Sequence, residues 1–115
     1  MKRDPITTHV LDTSRGQPAS DIPVSLSRCA GESLEVLGSG HTDDDGRIMN
    51  GLVAEAGLEV GVYEIRFDVA GYFKQLSQTS FYPEVRIRFE VRDAGEHYHV
   101  PLLLSPFGYS TYRGS

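Results

Sequence analysis

The eight residues Val85-Arg86-Ile87-Arg88-Phe89-Glu90-Val91-Arg92 alternate between apolar and charged without exception. A period of two puts Val85, Ile87, Phe89 and Val91 on one face of a strand and the charges on the other, which no helix can do. Val62-Tyr63-Glu64-Ile65-Arg66-Phe67-Asp68-Val69 repeats the device, with Tyr63, Ile65, Phe67 and Val69 facing inward. Both segments therefore demand a sheet with a core on one side and water on the other.

Weaker alternation marks strands at residues 7–13, 24–30 and 34–40, divided by the turn-rich Ser14-Arg15-Gly16-Gln17-Pro18 and the loop around Gly31. A short strand is expected near Arg47-Ile48-Met49, then two more from His97 to Leu104 and from Tyr109 to the end, joined at Ser105-Pro106-Phe107-Gly108. About eight short strands with brief links predict an all-β, two-sheet antiparallel sandwich. Ala70-Gly71-Tyr72-Phe73-Lys74-Gln75-Leu76 is the one helical candidate, too short for a parallel crossover, with Phe73 and Leu76 as its docking residues. At 115 residues with no internal repeat, the chain reads as a single domain spanning residues 1–115.

The formal net charge of −5, from 11 Lys plus Arg against 16 Asp plus Glu, argues against nonspecific nucleic-acid binding, which depends on neutralising phosphates. Cys29 is the only cysteine, so neither an intrachain disulfide nor a cysteine zinc cluster can form; it reads as a half-buried strand thiol. No segment approaches the ~20 apolar residues of a membrane span, and Met1-Lys2-Arg3-Asp4-Pro5 is not followed by an export-signal core. The expectation is a cytoplasmic protein, or a periplasmic one if the chain is a processed mature form.

Several polar groups have ordinary explanations. Asp43-Asp44-Asp45-Gly46 lacks the alternating ligands and closing glutamate of a calcium loop, and reads as a turn in which Asp caps its own backbone. His41 reads as an exposed strand end. His97 and His99 fall on one side of a strand, where zinc ligands can converge, but no carboxylate at a recognised spacing completes a site. His9 in mid-strand and Arg47 after a glycine turn acquire chemistry only if other polar groups converge on them. The final segment is less ordinary. An apolar strand opened by two histidines runs into a polar tail that can present Arg113, the Ser115 hydroxyl and a terminal carboxylate to whatever lies opposite.

These blocks resemble the transthyretin-related family over nearly the whole chain. The resemblance is carried by Thr7-Thr8-His9-Val10-Leu11-Asp12-Thr13 with Arg15-Gly16 and Pro18-Ala19, by Thr42 with Asp45-Gly46-Arg47, and by Phe81-Tyr82-Pro83-Glu84-Val85. It is completed by His97 to Pro106 and the terminal Tyr112-Arg113-Gly114-Ser115. His99 and the terminal tetrapeptide resemble the 5-hydroxyisourate hydrolase branch rather than the hormone carriers.

The resemblance implies an eight-strand sandwich with one short helix, assembled as a homotetramer (a dimer of dimers) with active sites in the channel between dimers and no metal or organic cofactor. It implies catalytic roles for His9, Arg47, His99 and Ser115, with Tyr112, Arg113 and Gly114 shaping the substrate site. The implied reaction opens 5-hydroxyisourate at a ring amide in urate breakdown. A neutral imidazole would activate water while Arg47 or Arg113 stabilises the developing oxygen charge. Which histidine is the base stays open, and Ser115 is expected to orient water or substrate rather than to form an acyl intermediate. The rival reading is a noncatalytic small-molecule carrier on the same sandwich, against which the polar set His9, Arg47, His99 and Ser115 stands. An accessory sandwich of another protein is the third reading; a following domain would obstruct the Ser115 end.

Overall fold

The computed structural model describes residues 4–53 and 58–115, in which nine strands and one short helix form two packed sheets. In chain order these are β1 (Ile6–Asp12), β2 (Gln17–Pro18), β3 (Pro23–Ala30), β4 (Ser33–His41), β5 (Arg47–Ile48) and β6 (Gly61–Phe67). They are followed by α1 (Ala70–Gln75), β7 (Val85–Val91), β8 (Tyr98–Ser105) and β9 (Gly108–Thr111). One sheet runs β2-β1-β8-β9 with β5 also paired to β1; the other runs β4-β3-β6-β7. No helix among the described residues is long and apolar enough to cross a membrane.

The two strands with strict alternation behave as their patterns require. Tyr63, Ile65 and Phe67 of β6, and Val85, Ile87 and Val91 of β7, are buried against the facing sheet, which supplies Ile6, Val10, Val100, Leu102 and Leu104. Burying each large aliphatic or aromatic side chain is worth about 1.5–3 kcal/mol, so this layer is the main stabilising term. Phe89 links the sheets, its ring 6.1 Å from Tyr63 and 6.4 Å from Tyr98. Phe73 is the buried residue of α1, as its sequence position suggested, while Leu76 is half-buried at the C-cap.

Three features differ from the sequence reading. Gln17–Pro18, read as part of a turn, pairs with Leu11 and Asp12 as a two-residue strand. The last strand ends at Thr111 instead of continuing to the terminus, and the chain rejoins the sheet through an isolated bridge between His99 and Gly114. Every strand pair is antiparallel except β1 with β8, which is parallel from Ile6 opposite Tyr98 to Asp12 opposite Leu104. Alternation reveals which face is buried but not which strand is the neighbour or in which direction it runs, so this pairing has no local signature.

Asp12 ends β1 fully buried, and its carboxylate is satisfied on every side. Ser14 donates from both its N–H (3.0 Å) and its hydroxyl (2.6 Å), the Arg15 N–H donates at 3.3 Å, and Tyr72 of α1 donates its hydroxyl at 2.7 Å. Burial pushes the Asp12 pKa up, but these hydrogen bonds, led by Ser14 and Tyr72, outweigh it and hold the carboxyl below its ordinary value. Its contribution to stability is therefore complete above the unfolded-state pKa near ~4 and is lost as pH falls through the lower folded value. Tyr72→Phe should lower stability at neutral pH by about 1.5 kcal/mol, and the gap from the parent should narrow as the medium is acidified. Urea unfolding at a series of pH values measures both; equal stability of the two proteins at neutral pH would show that the Tyr72–Asp12 bond contributes nothing.

Candidate active site

Thr7, His9 and Leu11 share the face of β1 that points away from the core, and β8 runs beside it with Thr7 opposite His99 and His9 opposite Pro101. Adjacent strands and a two-residue offset put the backbones of His9 and His99 roughly 8 Å apart, on one face. Residues 90 positions apart in the sequence thus become diagonal neighbours.

The opposite flank of β1 brings in Arg47. It is the register partner of His9 in the antiparallel β1–β5 pair, and the preceding turn explains why. Asp43 Oδ1 accepts from the N–H groups of Asp45 and Arg47, both at 2.9 Å, which is the polar-turn reading of the acidic triplet. Gly46 then adopts φ +74° and offers its carbonyl to the Val10 N–H at 2.7 Å. A Cβ on Gly46 would lie 2.4 Å from the Val10 carbonyl oxygen, so only glycine lets the turn lie flat on β1. The contact delivers Arg47 to His9.

Burial lowers the His9 pKa, and the Arg47 guanidinium lowers it further. A hydrogen bond to the Asp45 backbone and the charges of Asp43 and Asp45 pull the other way without reversing the shift. His9 is therefore a neutral imidazole beside a permanent cation at pH 7, the state in which a ring nitrogen can accept a proton.

His99 is held from two sides. Its Nδ1 lies 2.8 Å from Thr7 Oγ1, and the same hydroxyl lies 3.0 Å from Nε2 of His97. On its other side the ring meets the chain end, where the Gly114 N–H donates to the His99 carbonyl at 2.8 Å. A Cβ on Gly114 would stand 2.6 Å from His99 Cδ2 and 3.2 Å from Pro101 Cγ, so the absence of a side chain is what admits the imidazole. Ser115 follows as the exposed last residue, next to this contact.

Tyr112 and Arg113 take a different place within the chain. The Arg113 guanidinium sits 4.5 Å above the ring of Tyr98, whose side chain points opposite to those of His97 and His99, and it donates to the His97 carbonyl at 3.1 Å. With Tyr112 it lines a cavity of about 220 Å³ between β7 and β8, beside Ile87, Phe89 and Val100. Of the two arginines expected at the reacting oxygen, Arg47 shares the histidine face of this chain and Arg113 does not. Two residues of that face had been given no role in the site: Thr7, named within a resembling block alone, and His97, weighed beside His99 as a zinc ligand. The placement of Thr7 opposite His99 was not visible in the sequence, since it depends on the parallel register. His41 is exposed, as expected. Among the described residues, no group of three or more His, Cys, Asp or Glu side chains is arranged to hold a metal ion.

The sequence profile of the HIUase/Transthyretin family matches residues 6–114. The chain belongs to this family. It is 46% identical to "5-hydroxyisourate hydrolase 2" of Rhizobium meliloti over 114 residues, covering 96% of this chain and 95% of the relative. It is 44% identical to the 5-hydroxyisourate hydrolase of Deinococcus radiodurans over 113 residues, covering 96% and 95%. Among solved structures it is similar to Klebsiella pneumoniae 5-hydroxyisourate hydrolase, with a TM-score of 0.82, 37% identity and coverage of 96% and 98%. It is also similar to sea bream transthyretin in complex with thyroxine, with a TM-score of 0.88, 31% identity and coverage of 96% and 94%. The family thus contains both hydrolases and a hormone-binding protein on one sandwich, and the chemistry of the face around His9 has to distinguish them.

Because the Arg47 charge helps to hold the His9 pKa down, Arg47→Ala should move it up toward the ordinary value near ~6.5. An NMR titration of the His9 ring in both proteins tests this; an unchanged or lower value would mean that the guanidinium is not felt at the imidazole.

Proposed function

We propose that this chain, as a single domain, hydrolyses 5-hydroxyisourate to 2-oxo-4-hydroxy-4-carboxy-5-ureidoimidazoline in urate catabolism. The observation that carries the proposal is the convergence of a neutral His9, Arg47 and His99 on one face of a sandwich whose curated relatives are named as hydrolases of that substrate. An apolar ligand gains nothing from desolvating two imidazoles and a guanidinium, so the carrier reading does not suit this face.

The chemistry needs a base, a site for the developing negative charge, and a proton for the departing ring nitrogen. His9 takes a proton from water as the oxygen attacks the ring carbonyl at the N1–C6 bond, and the resulting imidazolium returns that proton to N1 as the bond breaks. Arg47, with an N–H of His99, stabilises the negative charge on the carbonyl oxygen. Ser115 orients water or substrate through its hydroxyl. No covalent acyl step is required. A base whose pKa lies below ~6.5 keeps its lone pair at pH 7, so the acid limb of kcat/KM should fall only as pH drops through that lower value.

We further propose a homotetramer, a dimer of dimers, that encloses the site in a channel. Two features support it. The histidine face is open on this chain and carries half-buried Leu11 and Leu103 beside the polar groups, and an enclosed site strengthens each electrostatic contact. At one end of the sandwich Phe81 is 68% and Phe107 66% exposed, with Tyr109 at 42%, an aromatic surface suited to burial against further copies.

The decisive assay oxidises urate in solution and follows the decay of the transient ultraviolet absorbance with and without purified protein. No acceleration at equal pH would reject the hydrolase. His9→Ala should lose on the order of 10² to 10⁴-fold in kcat/KM, as expected for a general base, and His99→Ala should also be impaired. His41→Ala should be nearly silent; a comparable loss there would put the site on another face. Light scattering should give a tetramer at micromolar concentration, and a fully active monomer would overturn the shared channel. Deleting Tyr112 through Ser115 should impair turnover far more than Ser115→Ala, because it also removes the Gly114 contact to His99 and the Arg113 contact to Tyr98.

A further inference from the structure

Thr7 presents an unusual arrangement: a side chain with no exposed surface, lying on the outward face of β1 beneath two imidazole rings. Its Oγ1 is 3.0 Å from His97 Nε2 and 2.8 Å from His99 Nδ1, and the hydroxyl carries a single proton. Thr7 is fully buried and these two nitrogens are the partners of its hydroxyl, so its proton goes to one of them and the other ring must then be the donor. The tautomers of His97 and His99 are thereby coupled through a third residue.

We propose that Thr7 is a positioning residue that sets the tautomer of His99 and ties it to that of His97. The hydroxyl donates to His99 Nδ1 and accepts the Nε2–H of His97. Both rings then hold their proton on Nε2, which is the intrinsically preferred tautomer of a neutral histidine. His99 in consequence presents Nε2–H as a donor on the edge of the ring that adjoins Cδ2 and Gly114, where the chain end approaches. The reverse arrangement would place the proton of both rings on Nδ1 and leave His99 with a lone pair facing the site.

The inference rests on the hydrolase reading only for the use made of that donor, which is to join Arg47 at the carbonyl oxygen while His9 acts as base. It also accounts for the buried position of Thr7. The β1–β8 register puts Thr7 directly opposite His99, and the neighbouring Thr8 points into the core, where its hydroxyl donates to the Val100 carbonyl at 2.6 Å. Two adjacent threonines thus serve opposite faces of one strand. Of the two, Thr7 is the one bonded to His97 and His99.

The test uses the full chain labelled with ¹⁵N in its histidines, and reads the ring nitrogens by long-range ¹H–¹⁵N NMR at a pH where both rings are neutral. In the parent protein, His99 Nδ1 should have the shift of a bare nitrogen and His97 Nε2 that of a protonated one. The opposite pattern, or the same state at both nitrogens, would overturn the assignment. Thr7→Val keeps the branched shape but has no hydroxyl, so His99 should become a mixture of tautomers, and kcat should fall about 10 to 100-fold, by analogy with loss of the hydrogen-bond partner that orients a metal-bound histidine, with less change in KM. Thr7→Ser should restore both readouts. Should Thr7→Val fail to fold, the parent spectrum and Thr7→Ser still decide the matter. A Thr7→Val protein with the parent's tautomers and the parent's kcat would sink the proposal. The spectrum of the parent protein is independent of turnover, so loss of the hydrolase reading would appear separately, as failure of the parent to accelerate decay of the substrate.

Discussion

The parallel pairing of β1 with β8 is the constraint on which the rest of the site depends. It places Thr7 opposite His99 and His9 opposite Pro101, and it runs without a register shift from Ile6 to Asp12. A slip of one residue would turn His9 toward the core and Val10 toward solvent, exchanging a polar face for an apolar one. Burial of Ile6 and Val10 against the other sheet therefore also holds the histidines in place. Packing energy and site geometry are two consequences of one register.

On either flank of that pair, a glycine converts proximity into contact. Gly46 lets the acidic turn lie on β1 and carries Arg47 to His9, while Gly114 lets the chain end lie on the His99 ring. In both places a Cβ would stand closer than 3 Å to a neighbouring atom. The glycines contribute no functional group, but the cation on one flank and the serine-bearing terminus on the other approach because of them. Buried polar groups elsewhere follow a similar discipline. Thr42 is bonded to the Ile22 N–H and the Ala19 carbonyl, Glu64 to Arg86 and Arg88, and Asp12 to Ser14 and Tyr72. Among the described residues, no buried side-chain nitrogen or oxygen lacks a partner.

The two chain ends of the site show how its electrostatics are divided. At His9, burial and Arg47 act together to keep the ring neutral, opposed by the nearby Asp43 and Asp45. At His99, the surroundings set the position and hydrogen bonding of the ring through Thr7 and Gly114. Two histidines in one strand pair thus sit in different electrostatic surroundings, because their partners differ and not because their residue type does.

Much of this was legible in the sequence. The alternation of Val85 to Arg92 and Val62 to Val69 specified strands and their buried faces, since a period of two is a local property of the pleat. The acidic triplet announced a turn, because Asp side chains and glycine act within a few residues. The resemblance carried by residues 7–13, 45–47, 97–106 and 112–115 pointed to the family and to His9, Arg47 and His99. The partners of those residues were not legible. That β1 and β8 run parallel, that Gln17–Pro18 is paired, that Arg113 turns onto Tyr98, and that one threonine hydroxyl serves two imidazoles all depend on contacts between distant segments. A sequence records what each segment can bury or expose. Which segments then lie side by side, and in what register, is decided only when the whole core closes, because that choice is made by the summed packing of both sheets.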